Sequence, residues 1–137
     1  MINKKLGSTK LINIFKEKSK FHHIGLSVKS IKSMHPNSKT IIDPLQKVRI
    51  AFINLNGVRL ELLEPLNKSS PIYNNLKNNN KLCHICFEVD NINKAIKNAL
   101  KKGFYIVQKP VSAIAFNNRK VSFIFHRDYH LVELILR

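Results

Sequence analysis

The sequence is short of acidic residues and of cysteine, and it has no tryptophan. Eight Asp and Glu stand against 24 Lys and Arg, which gives a formal net charge of +16. Such a charge suggests nucleic acid, but the chain lacks an arginine-rich run and a basic stretch interleaved with aromatic residues, which phosphate tracking and base stacking favour. The absence of these patterns disfavours nucleic acid as a partner, and the positive charge fits an anionic small-molecule substrate equally well.

The two cysteines, Cys83 and Cys86, form a lone Cys-x-x-Cys pair. Such a pair can be a redox centre or half of a zinc site. Both cysteines, however, lie inside an apolar strand pattern, and a redox pair normally lies at a helix N-terminus, where the dipole lowers the thiol pKa. We therefore predict that they are packing residues in a reducing compartment.

Long apolar runs are also missing. No run approaches the roughly 20 residues of a membrane span, and residues 1–20 have neither a continuous apolar core nor a small-residue cleavage site typical of a secretory signal. We expect a cytoplasmic protein in which residues 1–20 form an N-terminal arm or short helix. The full sequence has 44% apolar residues, enough for the remaining part, 21–137, to bury the core of one domain.

Two similar segments begin the two halves of this domain. Residues 21–28 read Phe-His-His-Ile-Gly-Leu-Ser-Val, and residues 82–89 read Leu-Cys-His-Ile-Cys-Phe-Glu-Val. The strands that end each half are also similar to each other, which indicates an internal duplication. Each half follows the order strand, helix and three strands, so the sequence predicts an α+β fold. The first module covers about residues 21–66 and the second about 82–137.

Local signals complete this prediction. Asn56-Gly57 predicts a two-residue hairpin turn, because both central positions of a type I′ turn need positive φ. Asp90 is predicted to cap the clearest helix, residues 91–102, which Gly103 ends. The corresponding helix of the first module is shortened by Pro36. Two further predictions are a short helix opened by Ser70-Pro71 and a brief strand at residues 105–107.

The duplication pairs His23 with His84 and Glu61 with Glu133. On each strand the apolar neighbours occupy the opposite face, so all four side chains can face one concave surface. A single strand histidine is more often structural, but Glu is rarely buried in an apolar strand unless it is paired or coordinating. Two imidazoles and two carboxylates predict a site for one divalent ion, such as Co, Mn, Ni, Zn or Fe. His22 is predicted to point away from this surface.

The motifs around these residues resemble the vicinal oxygen chelate superfamily, which includes glyoxalases and bleomycin-resistance proteins, and within it the methylmalonyl-CoA epimerase family. The resemblance covers about residues 21–136. It implies two βαβββ modules that form an incomplete barrel around a metal held by the four residues. The motifs that carry it are His23-Ile-Gly, Glu61-Leu-Leu-Glu-Pro-Leu, His84-Ile-Cys-Phe-Glu-Val-Asp-Asn-Ile and Leu131-Val-Glu133-Leu.

The resemblance implies a metal-dependent epimerase or isomerase that forms an enolate from an acyl-CoA or related carbonyl substrate. Glu133 and Glu61 are the candidates for transferring the proton. Arg49 lies on a strand where some epimerases carry a glutamate, and because a guanidinium cannot act as a base we expect it to bind a substrate carboxylate or phosphate. Ser27 and Asn118 are expected to line the same concave face.

Two alternatives use the same scaffold. One is a glyoxalase-type lyase or a metal-dependent dioxygenase. The other is a non-catalytic small-molecule binding protein of the resistance type that has lost its metal, against which the retention of four ligands argues. A homodimer is compatible with each of these functions.

Overall fold

The fold is built from eight strands, three short helices and a 3-10 turn, in a computed structural model that describes Gly7 and residues 9–137. The helices are α1 (Ile31–Met34), α2 (Tyr73–Lys77) and α3 (Ile92–Leu100), and the 3-10 turn is Ile114–Phe116. The strands are β1 (Ser19–Ser27), β2 (Ile41–Asp43), β3 (Val48–Leu55), β4 (Val58–Pro65), β5 (Leu82–Val89), β6 (Tyr105–Ala113), β7 (Arg119–His126) and β8 (His130–Leu136).

All eight strands belong to one sheet, in the order β2-β3-β4-β1-β5-β8-β7-β6. The two modules have the same internal pairing, since β1 is parallel to β4 and β5 is parallel to β8. The modules meet where β1 pairs antiparallel with β5. The sheet curls into a half-barrel, which confirms the predicted α+β fold with an incomplete barrel.

Helices α1 and α3 cover the outer face of the half-barrel. In the second module, α3 packs its apolar side, including Ile96, against Val89 and Leu134. Burying each of these side chains contributes about 1.5–3 kcal/mol. In the first module the four-residue α1 packs Ile31 against Leu62 in a smaller cluster. The inner face therefore remains available for a site.

Helix α1 is as short as Pro36 predicts. Its N-cap is Ser30, whose side chain accepts a hydrogen bond from the backbone N–H of Ser33. Helical geometry ends at His35, which has φ −141° and ψ 80°. A residue before proline is pushed out of the helical region by the proline ring, so the helix cannot continue.

Three boundaries differ from the predictions. The N-cap of α3 is Asn91, which accepts from the N–H of Lys94, whereas Asp90 pairs with Arg137 at 3.4 Å. Helix α2 begins at Tyr73 with no side-chain cap, not at Ser70. Strand β6 runs nine residues through Pro110, because an edge strand does not need the N–H that proline lacks.

The N-terminal segment forms no helix between residues 9 and 18; residues 1–6 and 8 lie outside the described part of the chain. Phe15 is buried against the second module, and its carbonyl accepts a hydrogen bond of 2.6 Å from Asn98 on α3. This contact makes the segment an arm that docks on the outer face. None of the described helices has the length and apolar character needed to cross a membrane.

Candidate metal centre

Four side chains converge on the inner face of the half-barrel, one from each central strand. His23 of β1 and Glu61 of β4 come from the first module, and His84 of β5 and Glu133 of β8 come from the second. None of them is more than 5% exposed. Because β1 pairs with β4 as β5 pairs with β8, the duplication places one His–Glu pair on each side of the junction between modules.

The distances repeat between the two modules. His23 Nε2 lies 2.6 Å from Glu61 Oε2, and His84 Nε2 lies 2.8 Å from Glu133 Oε2. The crossed separations are 3.4 Å between His23 and Glu133 and 3.7 Å between His84 and Glu61. The two imidazole nitrogens are 3.1 Å apart. Four polar atoms thus point at one small volume.

The chemistry of this cluster fits a divalent ion. Within the described residues, the buried atoms Glu61 Oε2 and Glu133 Oε2 have no hydrogen-bond donor nearby other than the two imidazoles, and a buried carboxylate with so few partners is costly. The candidate ligand atoms of His23, Glu61, His84 and Glu133 all lie within 4.8 Å of one another. Imidazole nitrogens and carboxylate oxygens together suit metals of intermediate hardness. The four residues can therefore hold one divalent cation.

Without an ion, the imidazoles and carboxylates stabilise each other's charge. Burial opposes the protonation of His84, but Glu133 and Glu61 outweigh it and raise its pKa to about 10. Burial also opposes the protonation of His23, whose pKa the same two carboxylates raise. For Glu61, burial favours the neutral acid, but His23 and His84 lower its pKa to about 2.

These shifts predict how the stability of the metal-free protein depends on pH. Because the pKa of His84 rises from 6.5 to about 10 on folding, its protonation stabilises the fold fully below pH 6.5, and this contribution disappears as the pH rises through 10. The lowered pKa of Glu61 stabilises the fold above pH 4.5 and stops doing so as the pH falls through 2. Urea unfolding of chelator-treated protein should give a free energy of unfolding that falls between about pH 6.5 and 10. A constant free energy over that interval would contradict the prediction.

Gly25 sets the position of His84. The two residues are cross-strand partners in β1 and β5, and a Cβ atom on residue 25 would lie 2.4 Å from His84 Cε1 and 2.7 Å from its Nδ1. The imidazole therefore lies directly on the β1 backbone. The strand pattern of the sequence does not predict this contact.

We predict that Gly25→Ala disrupts the centre. The added methyl group displaces the His84 ring, so metal affinity should fall by tenfold or more, by analogy with the loss of an orienting contact to a ligand. Overpacking should also lower the free energy of unfolding by about 1–3 kcal/mol. A competition titration against a metal indicator measures the affinity. Gly7→Ala is the control, because a Cβ there meets nothing within 4 Å; equal affinities of the two variants would refute the contact.

His22 was predicted to point away from the centre, and this is wrong. The β1–β5 pairing shifts register between Phe21 and His23, so a bulge turns His22 to the inner face. Its Nδ1 lies 2.8 Å from His23 Nδ1, and its Nε2 accepts a hydrogen bond of 2.7 Å from Arg59. Burial, then the positive charges of His23 and Arg59, lower the pKa of His22 to about 4. A neutral His22 therefore contacts Nδ1 of His23, the ring nitrogen that does not face Glu61.

Arg49, predicted to bind substrate, lies on the outer face. It is the cross-strand partner of Glu64, and the two side chains approach to 4.0 Å. Phe52, three residues further along β3, is the residue of this strand that reaches the centre, and its ring centroid lies 5.9 Å from that of His23. The structure therefore does not bring Arg49 to the four converging residues.

The structure places Ser27 on the predicted concave face and Asn118 in an exposed turn. Ser27 lies on the inner face but is buried, and its hydroxyl donates to the carbonyl oxygen of Asn80 at 3.2 Å. Asn118 is exposed with φ 63°, and its backbone N–H bonds to the carbonyl of Ala113. Ser27 is engaged with the backbone, and Asn118 belongs to the turn before β7.

The cysteines are packing residues in the structure, as predicted. Both are buried free thiols, in two separate apolar clusters. The Sγ atom of Cys86 also lies within 4.8 Å of ring nitrogens of His22 and His23, close enough for the three residues to share a metal ion. However, burial, then the charges of Glu133 and Glu61, raise the pKa of Cys86 well above its ordinary value. The thiol stays protonated, which makes it a poor metal ligand.

Two cavities lie at opposite ends of the half-barrel. The first, which we call the histidine cavity, has a volume of about 640 Å³ and is lined by His84 near the start of β5. The second, which we call the arginine cavity, has a volume of about 400 Å³ and lies where β1, β4 and β7 begin. The histidine cavity is the one that contacts a residue of the centre. Its apolar lining comprises Leu82, Ile85, Val107, Phe125 and Leu131.

A curled half-barrel of two similar modules, with one His and one Glu from each module meeting on its inner face, is the architecture of the vicinal oxygen chelate enzymes. Residues 22–123 match the family model described as the Glyoxalase/Bleomycin resistance protein/Dioxygenase superfamily. The chain belongs to this superfamily. The superfamily resemblance found in the sequence is thereby confirmed.

Two relatives indicate which enzymes within the superfamily this chain resembles. The human mitochondrial methylmalonyl-CoA epimerase is 30% identical over 120 residues, covering 80% of this chain and 68% of that protein. The ethylmalonyl-CoA/methylmalonyl-CoA epimerase of Cereibacter sphaeroides is 32% identical over 96 residues, covering 67% of this chain and 72% of that protein. The chain is an enzyme of the vicinal oxygen chelate type, and these relatives support an epimerase-like role.

A solved structure supports the fold independently. The crystal structure of methylmalonyl-CoA epimerase from Mycobacterium tuberculosis superposes with a TM-score of 0.70, covering 93% of this chain and 92% of that chain. The two sequences are 19% identical, so this likeness concerns the fold.

Proposed function

We propose that the protein is a metal-dependent epimerase that inverts the carbon next to the thioester carbonyl of an acyl-CoA. The observation that carries the proposal is the presence of two buried carboxylates, one from each module, beside the two histidines of the same centre. The relatives named as methylmalonyl-CoA epimerases support the substrate class.

The proposed ligands of a divalent ion are His23, Glu61, His84 and Glu133. Such an ion would polarise the substrate carbonyl and make the neighbouring C–H more acidic, because it stabilises the charge of the developing enolate. This role explains why two histidines and two carboxylates share a site that is buried from water. The residues of the chain then need only to move the proton.

The two carboxylates approach the centre from opposite sides. Glu61 is on β4 and Glu133 is on β8, and β1 and β5 lie between these strands. Epimerisation needs a proton to be removed from one face of a carbon and returned to the other. We propose that Glu61 and Glu133 serve the two faces, each as base for one epimer and as acid for the other.

The histidine cavity provides the route to this centre. Its volume of about 640 Å³ is within the usual range for small-molecule sites, and most of its lining is apolar. An acyl group would lie against this apolar wall beside His84. The wall would also keep water away from the carbanionic intermediate.

Deuterium exchange tests the proposal. Protein loaded with Co²⁺ or Mn²⁺ is incubated with methylmalonyl-CoA in D₂O, and mass spectrometry follows the substrate. We expect one deuterium at the carbon next to the carbonyl, with the thioester preserved. Loss of the thioester would indicate a lyase or an oxygenase instead. Absence of exchange with both methylmalonyl-CoA and ethylmalonyl-CoA would overturn the proposal.

A further inference from the structure

The arginine cavity has no role in the chemistry described so far. It opens at the end of the half-barrel where β1 begins, whereas the histidine cavity opens where β5 begins, and β1 and β5 are antiparallel. The two cavities share no lining residue. The lining of the arginine cavity includes His22, Phe52, Asn54, Arg59, Phe116 and Arg119.

The cavity carries more positive than negative charge. Within the described residues Arg59 has no carboxylate within 4.0 Å, and its hydrogen bond of 2.7 Å goes to the ring nitrogen Nε2 of His22. Arg119 bonds to Glu88 at 3.0 Å. Among the described residues, Glu88 is therefore the one carboxylate within 4.0 Å of either guanidinium group. A concave surface that holds uncompensated charge attracts ions of the opposite sign.

Arg59, Arg119 and Asn54 offer hydrogen-bond donors to this cavity. A guanidinium offers planar pairs of N–H groups that match the oxygens of a carboxylate or a phosphate. Asn54 uses its side-chain oxygen to accept from the N–H of Gly57 at 2.7 Å, which leaves its NH₂ group as the free end. The cavity therefore presents hydrogen-bond donors and positive charge, which is the complement of an oxyanion.

Phenyl rings separate this cavity from the metal centre. Phe116 stacks on His23 with 5.6 Å between ring centroids, and Phe52 meets the same ring edge-on at 5.9 Å. His23 itself is completely buried. A molecule in the arginine cavity therefore contacts the two rings and does not contact Glu61 or Glu133.

We propose that the arginine cavity is a second binding site, for the carboxylate or phosphate group of an anionic ligand, held by Arg59 and Arg119. The site is distinct from the histidine cavity, and its assignment does not depend on the proposed epimerase activity. The shared chemistry is an oxyanion, whether it is a free ion or a phosphate of the coenzyme A part of a substrate.

Calorimetric titration of the full chain at low salt tests this site, with inorganic phosphate and coenzyme A as separate probes. Arg59→Gln and Arg119→Gln should each weaken binding by about tenfold or more, as expected for the loss of a charge-assisted hydrogen bond. Arg49→Gln is the matched control, since it removes the same charge from the outer face. It should change affinity by less than about twofold, because Arg49 does not line the arginine cavity and already has Glu64 as a partner on the outer face.

The two probes identify the source of the anion. Tighter binding of coenzyme A than of phosphate, lost in Arg59→Gln, would support the phosphates of a thioester substrate as the ligand. Equal binding of both would support a free oxyanion. Because Arg59 and Arg119 lie on different strands, one variant remains informative if the other fails to fold. Failure of both probes to bind, or equal weakening in Arg49→Gln, would overturn the proposal.

Discussion

Replacing His84 with alanine should lower the affinity for the divalent ion by about a hundredfold or more and abolish deuterium exchange. A ligand should matter at least as much as the outer contacts that orient ligands, whose removal typically costs 10–100-fold. The substitution also removes the imidazole that lies 2.8 Å from Glu133 and 3.7 Å from Glu61. Two buried carboxylates then face each other with only His23 to balance them, and like charges at such distances repel strongly.

Metal analysis of dialysed protein and a competition titration measure this effect. His35→Ala is the matched control, because His35 lies at the end of α1 on the outer face. The control should keep one ion per chain. Thermal unfolding of both variants should show that His84→Ala is folded, so that its loss of the ion is specific to the centre. If His84→Ala retains one ion at the affinity of the native protein, the four-ligand assignment is wrong.

The centre could be proposed from sequence because a duplication supplies two independent observations of one pattern. In each module a histidine on the first strand is matched by a glutamate on the last strand, and alternation along a strand determines which residues share a face. The structure brings His23, Glu61, His84 and Glu133 together as these rules require. Local strand patterns, without the duplication, would have left each histidine as an ordinary packing residue.

Departures from alternation could not be predicted in the same way. The bulge between Phe21 and His23 turns His22 inward, and a second shift between Gly25 and Leu26 brings Cys83 to the inner cluster. A one-residue shift moves a side chain to the other face of the sheet and leaves no pattern in the sequence. The placement of His22, and with it the contact to Arg59, therefore required the structure.

The position of Arg49, by contrast, was available from the sequence. A two-residue turn at Asn56-Gly57 makes Leu55 and Val58 partners, so the pairing continues to Arg49 with Glu64 and to Phe52 with Glu61. Directly opposite residues share a face. Arg49 therefore lies on the face opposite Glu61, and Phe52 is the residue that reaches the centre.

Replacing Glu133 with glutamine should lower the rate of epimerisation by about a hundredfold or more, the usual contribution of a general base. The amide keeps the shape of the side chain but cannot accept the substrate proton. If Glu61 and Glu133 serve opposite faces of the carbon, one epimer should still exchange its proton with solvent in Glu133→Gln. The other epimer should exchange only in Glu61→Gln. Each variant is therefore expected to exchange the proton of one epimer and to interconvert the two epimers at a rate about a hundredfold or more below that of the native protein.

Exchange of the two separate epimers in D₂O, followed by mass spectrometry, distinguishes this arrangement from a single base. Glu64→Gln is the control, because Glu64 lies on β4 three residues after Glu61 but pairs with Arg49 on the outer face. It should leave both exchange rates unchanged. If Glu133→Gln stops the exchange of both epimers while Glu61→Gln stops neither, Glu133 alone moves the proton and Glu61 serves only as a ligand. The duplication would then account for the four metal ligands, and the different roles of Glu61 and Glu133 would account for the proton transfer.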